Sequence, residues 1–320
     1  MLQPAQFWDR EVTAPVNPPS HSWMAHPDVR HYINRSIGGQ EADWPMDWFQ
    51  RRYPGQTFAN VLSIGCGSGA LERDLVRRGI ATSVEAFDAS PASIDLARKL
   101  AADEGFSGAI HYSIADFNAV TLERSRFDLI CFHQSLHHVE ALEHLLLQVR
   151  RALKPGGMLY LDEFVGPSRT FWNEYTVRWY RAFYQTFPRS VRYFDQLAIP
   201  IQKEDPSEAI RSSEILSRLL IGFSIEEFRG YGGNIMAVLF PNCVVEQLTD
   251  EQVRTMIAAE ESMIGAGAPH FHAVIVARPK SGTASVLADL RYRIEHSFPS
   301  VTVPLRSLLR RLRGRPESSW

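Results

Sequence analysis

The sequence predicts a doubly wound α/β fold: a seven-stranded sheet, mostly parallel with its last strand antiparallel, carrying helical cap insertions. Three observations point to it. The apolar run at 61–64 delivers three closely spaced glycines, Gly65, Gly67 and Gly69, to the start of a helix. Strand-like and helix-like segments then alternate to about residue 165. Two more strand-like runs, 223–229 and 271–277, follow after long helical stretches, as expected when elements are inserted between the last strands of one sheet.

The elements follow in order. Gly65, Gly67 and Gly69 lack Cβ, so the turn takes positive φ and a ligand packs directly against main chain. Leu71, Leu75 and Val76 share one face of the next helix, which stops at Gly79. A second strand, 84–88, ends in the carboxylate of Asp88, and Ala89-Ser90-Pro91 opens a helix over 92–102. The third strand, 110–115, ends at Asp116 and Phe117. A fourth, 127–132, runs into His133, Gln134, Ser135, Leu136, His137 and His138. After one more helix, Leu153-Lys-Pro-Gly-Gly157 turns the chain into a fifth strand over 158–164. Pro206 suits the first turn of a helix over 207–220, with Ile210, Ile215, Leu216 and Leu219 on its apolar side. A helix over 249–265 precedes the last strand.

The glycine spacing Gly65-x-Gly67-x-x-Ala70 also fits the relaxed dinucleotide fingerprint of NAD or FAD enzymes, so the acids must decide. Asp88 is placed to accept hydrogen bonds from both ribose hydroxyls of an adenosine. Asp116 and Phe117 are an acid and an aromatic suited to the amino group and the face of adenine. Taken together, Val61-Leu-Ser-Ile-Gly-Cys-Gly-Ser-Gly69, Phe87-Asp88-Ala-Ser-Pro91, Ala115-Asp116-Phe117, Phe127-Asp-Leu-Ile130 with Ser135-Leu-His-His-Val139, and Leu153-Lys-Pro-Gly-Gly157 resemble the class I S-adenosylmethionine-dependent methyltransferases, whose core is Rossmann-like. The resemblance is close over 56–165 and loose elsewhere. The segments 162–172 and 205–215 resemble a bacterial subgroup of small-molecule enzymes.

That resemblance implies S-adenosyl-L-methionine as cofactor. It implies Ser63, Gly65, Cys66, Gly67, Gly69, Asp88, Ala89, Asp116, Phe117, His133 and Ser135 as the residues around it. One departure stands out: the family carries an acid two residues before the first glycine, where this chain has Ser63. Cofactor affinity is then lower, or another acid substitutes. The implied reaction is O-methylation of a small molecule, glycan or lipid-linked saccharide. The alternatives are a cofactor-binding regulatory or scaffolding protein without methyl transfer, and an oxidoreductase.

Methyl transfer to a hydroxyl asks the protein for alignment and a proton acceptor. His133 and His137 lie just past the fourth strand, at the sheet edge where open α/β folds bind ligands, and His137 is placed first as the base. Glu163 is the rival, with Arg169 as the expected binder of a substrate carboxylate or phosphate, or as its partner in an ion pair that orders the loop. Asp162 and Glu163 face opposite sides of their strand, so one of them enters the site. No compact ligand motif links the acids and histidines, so no metal is expected.

Composition sets outer bounds. A net charge of −2 with 45% apolar residues suits a globular enzyme and names no polyanionic partner, and nucleic acid is not expected. Three scattered cysteines read as reduced structural residues, and no signal sequence or membrane span is visible, which predicts a cytoplasmic protein. Residues 1–55 form an aromatic, Pro-rich extension expected over the cleft, 56–165 the cofactor core, 166–280 the caps and final strands, and 281–320 a basic tail. Phe171, Tyr175, Arg178, Trp179, Ala182 and Phe183 recur at helical spacing and predict a core-facing stripe. Leu305, Leu308, Leu309 and Leu312 among arginines make 304–315 a basic amphipathic helix suited to peripheral contact with an anionic membrane. Oligomeric state is not legible.

Overall fold

The computed structural model describes residues 4–13, 23–169, 172–199 and 205–297. Helices α1 (Pro4–Thr13), α2 (Pro27–Gly38) and α3 (Pro45–Arg52) lead into the core. There β1 (Val61–Ile64), α4 (Ala70–Arg77), β2 (Val84–Asp88), α5 (Pro91–Asp103), β3 (Ile110–Ile114), β4 (Phe127–His133), α6 (Leu142–Ala152) and β5 (Leu153–Phe164) alternate. Then come α7 (Glu174–Tyr184), α8 (Ile215–Gly222), β6 (Phe223–Gly230), α9 (Met236–Leu239), α10 (Asp250–Gly265), β7 (His272–Pro279) and α11 (Gly282–Ser297).

The seven strands form one sheet in the order β3-β2-β1-β4-β5-β7-β6, and β7 runs antiparallel to both neighbours. This is the sheet the sequence predicts. Every residue of β1 is buried, because helices cover both sheet faces and each residue, odd or even, meets an apolar layer. Leu62, Ile64, Phe132, Leu159 and Ile275 pack with α6, α8 and α11 on one face. Val61, Val84, Tyr160 and Val276 pack on the other with Ile33, Trp48 and Phe49 from α2 and α3, and with Val253 and Met256 from α10. The strand order reverses between β1 and β4, and a crevice opens there beyond the strands' C-terminal ends.

Several elements differ from the sequence expectation, each for a local reason. Residues 154–157 bulge out of β5, whose pairing with β4 jumps from Phe127↔Leu153 to Leu129↔Met158. The expected helix over 207–220 starts only at Ile215, since Asp205 and Ser207 hydrogen-bond each other and Ala209 takes a left-handed φ of 48°. On α7 the buried face is Val177, Tyr180 and Tyr184, while Tyr175 is exposed and Trp179 stacks on Phe183 at the surface. The Tyr184 hydroxyl donates to the Asn242 carbonyl at 2.6 Å and accepts from the Phe194 amide at 3.3 Å, which lets a tyrosine go inside. Phe171 lies outside the described residues. The segment placed in a tail from residue 281 begins instead with α11, which packs on α6 and α8 through Ala288 and Tyr292. The amphipathic pattern at 304–315 lies outside the described residues, and among them no helix is long and apolar enough to cross a membrane.

Candidate active site

At the C-terminal end of β1 the backbone turns through Gly65, Gly67 and Gly69, whose φ values are 70°, 51° and 76°. A side chain at Gly65 would bring its Cβ to 2.6 Å from that of Ser135, so close packing as well as φ demands glycine there. The loop is tied to β2: the Gly65 and Cys66 amides donate to the Phe87 carbonyl, and Asp88 Oδ2 accepts from the Gly67 amide at 2.9 Å. Asp88 Oδ1 accepts from Ser90 N, also at 2.9 Å. Burial raises the Asp88 pKa, against the lowering pull of those amides.

A cavity of about 290 Å³ sits over this loop. Of the predicted cofactor residues, Gly65, Cys66, Gly67, Asp88, Ala89, Phe117, His133 and Ser135 line it. Three do not. Ser63 is buried inside β1, Gly69 opens α4 against the Tyr112 ring, and Asp116 is exposed with Oδ1 accepting from Asn118 N. Burial pushes the Cys66 thiol pKa up, which keeps it protonated, and all three cysteines are unbridged.

The sequence missed two contributors. Glu72, at the start of α4, is 1% exposed beside Ser63, with neither carboxyl oxygen in a hydrogen bond among the described residues; burial raises its pKa. Only its position i+9 from Ser63 across the loop, invisible as a motif, relates the two. The other contributor is α1. Its Trp8 lines the cavity and meets His138 edge-on at 5.4 Å, while Asp9 accepts from Ser90 Oγ and Ala92 N and so caps α5.

His133 and Gln134 form the wall between this cavity and a second one of about 620 Å³. Gln134 has φ 52°, and its Nε2 donates to Tyr231 Oη at 3.1 Å. Tyr231 in turn donates to Asp162 Oδ1 at 2.6 Å, and His133 Nε2 lies 3.9 Å from Asp162 Oδ2. Burial raises the Asp162 pKa. Apolar walls come from Met24, Ile33, Ile37, Trp44 and Leu71. Arg30 enters the same cavity with its guanidinium 4.6 Å above the Trp44 ring, and among the described residues no carboxylate lies within ion-pair distance of it. Burial lowers its pKa, with Asp162 the main opposing charge.

The two residues placed ahead of or beside His133 for proton transfer are elsewhere. Glu163 is fully buried, and its carboxylate accepts from Ser135 N, Leu136 N, Phe164 N and His137 Nδ1. It lines neither the cavity over the glycine loop nor the 620 Å³ cavity; Asp162, its neighbour on the strand, faces the latter. His137 points toward a separate cavity of about 220 Å³. Burial alone pulls the His137 pKa down, but the charge and hydrogen bond of Glu163 overcome this and raise it to about 9. At neutral pH it therefore carries a proton and is not the ready base the sequence suggested. Burial, then the His137 charge, keeps His138 and His272 neutral, the latter at about 3. Arg169 is spent as a strap: its guanidinium donates to the Asp205 and Pro206 carbonyls.

Residues 62–161 match the family described as "Methyltransferase domain". Over 113 residues the chain is 33% identical to malonyl-[acyl-carrier protein] O-methyltransferase of Enterobacter lignolyticus, covering 35% of this chain and 42% of that protein. Over 103 residues it is 35% identical to the mitochondrial ubiquinone biosynthesis O-methyltransferase of Schizosaccharomyces pombe, covering 32% of this chain and 36% of that one. The chain thus spans about two fifths of the length of these curated relatives. Geranyl diphosphate C-methyltransferase from Streptomyces coelicolor A3(2) shares the fold at a TM-score of 0.50 and 14% identity, over 87% of this chain and 96% of that one.

Proposed function

From a chain whose residues 62–161 are a class I S-adenosylmethionine-dependent methyltransferase domain, we infer an O-methyltransferase whose acceptor is a small hydroxylated acid with an apolar body. One observation carries the reading: a cofactor-sized cavity over the glycine loop shares His133, Gln134 and Ala70 with a larger, partly apolar cavity in which Arg30 has no carboxylate within ion-pair distance among the described residues. The residues over the loop suit the cofactor. Asp88 keeps acceptor capacity for ribose hydroxyls and Phe117 offers a ring face for adenine, while Glu72, buried beside Ser63 and outside the cavity lining, is the acid nearest the position that Ser63 leaves neutral. When bound, S-adenosylmethionine supplies an already activated methyl group.

The rest falls to this chain's side chains. Arg30 holds the acceptor's carboxylate or phosphate, with Trp44 fixing the guanidinium plane. The apolar walls exclude water and align the acceptor hydroxyl. His133, at the junction of the two cavities, takes the hydroxyl proton on a ring nitrogen, and Asp162, whose Oδ2 lies 3.9 Å from Nε2, steadies the resulting imidazolium. Glu163 acts through the turn it holds and touches no reactant.

Calorimetry with S-adenosylmethionine, S-adenosylhomocysteine and NADH tests the cofactor. Binding of the first two alone is expected, and Asp88→Ala should weaken it by about 1.5–3 kcal/mol, the value of charged hydrogen bonds. Binding of NADH alone overturns the reading. The acceptor is tested by release of S-adenosylhomocysteine in the presence of hydroxylated aromatic acids and their neutral amides. Arg30→Gln should raise KM for the acids by about 10–100-fold with cofactor affinity intact. Cofactor binding with no release from any acceptor would favour the non-transferring alternative.

A further inference from the structure

The cluster outside this machinery lies on the wall between the cofactor cavity and the 220 Å³ cavity. There His137 and His138, from the turn after β4, meet Glu208 from the segment before α8. His137 Nε2 and His138 Nε2 each lie 3.8 Å from the same Glu208 oxygen, Oε2. Each ring's other nitrogen is already engaged. His137 Nδ1 is bonded to Glu163. Ser207 Oγ donates to Asp205 Oδ1 at 2.6 Å and therefore accepts from His138 Nδ1 at 3.1 Å, with Asp205 Oδ2 at 3.4 Å behind. Carboxylates thus fix both rings from the rear and aim both Nε2 atoms at one carboxylate oxygen, the arrangement that orients imidazoles toward an ion.

We propose that His137, His138 and Glu208 bind a divalent transition-metal ion such as Zn²⁺, Co²⁺ or Mn²⁺, the ion displacing the Nε2 proton of His137 to solvent as it takes that lone pair. Two imidazoles and one carboxylate match such ions better than Mg²⁺ or Ca²⁺, which favour all-oxygen shells. The candidate ligand atoms all lie within 4.8 Å of one another. Around an ion with bonds of about 2.1 Å the donors would sit roughly 3.4 Å apart, so Glu208 Oε2, now 3.8 Å from each Nε2 and on a one-third exposed side chain, would move in by a few tenths of an ångström and the two rings would close the remainder. The ion would join the segment carrying Ser207 to the turn carrying His138, both walls of the cofactor cavity. Its open position would face the 220 Å³ cavity, away from Arg30, so the site stands or falls apart from the acceptor reading.

The test is titration of the chelator-treated full chain with Co²⁺ and Zn²⁺, followed by calorimetry and the visible absorption of bound Co²⁺. One equivalent is expected, weakened about 100-fold in Glu208→Gln. His111→Ala, at an exposed histidine on β3, should bind as the parent does. Circular dichroism and Tm of the metal-free Glu208→Gln protein should match the parent, which separates ligand loss from misfolding. Absence of binding up to about 1 mM, or binding unchanged by Glu208→Gln, would overturn the site.

Discussion

Glu163→Ala is expected to destabilise the folded protein by about 3–5 kcal/mol, because it removes one partner of a buried ion pair and strands three amides as well. The carboxylate is 0% exposed and sits where β5 meets the turn carrying Ser135, Leu136 and His137, so no water replaces it. Urea unfolding at constant pH, with chelator present, measures the loss. The same pair sets a pH dependence. The folded pKa of His137, about 9, exceeds the ordinary value of 6.5, so folding takes up a proton between them. Its stabilising contribution is complete below pH 6.5 and disappears as pH rises through 9. Glu163→Gln should flatten that slope, and an unchanged slope would detach His137 from Glu163.

His133→Ala is expected to lower kcat by about 10²–10⁴ with S-adenosylmethionine affinity retained within a few-fold, the signature of a lost proton acceptor. His133 is half-exposed and borders both cavities, whereas His137 lines only the separate 220 Å³ cavity with Nδ1 bound to Glu163. The comparison with His137→Ala is therefore informative: it should cost stability more than turnover. A kcat unchanged by His133→Ala would mean that the proton leaves directly to solvent.

Much of the cofactor half was legible because it is local. Gly65 to Gly69, Asp88 and Phe117 sit at strand ends, and a strand end followed by a glycine turn fixes where each points. The choice between Asp162 and Glu163 was narrowed by alternation along β5 but not decided. Alternation says that they face apart, not which face meets the cavity, and Tyr231, beyond β6, settles it by bonding Asp162. The stripe expected on α7 failed for a related reason. Periodicity names faces, while the partner that buries one is chosen by the rest of the fold, here Asn242 receiving the Tyr184 hydroxyl.

By itself, then, the sequence determined the seven-stranded α/β sheet, the glycine loop and the acid at the end of β2, because these follow from backbone sterics and short-range order. Only the tertiary structure decided that Glu72 is buried beside Ser63, that Arg30 and Trp44 wall the large cavity, and that Glu208 faces His137 and His138. Those groups meet across loops of many residues. Closing such loops is governed by packing of the whole core, and no spacing in the chain encodes which side chains then converge.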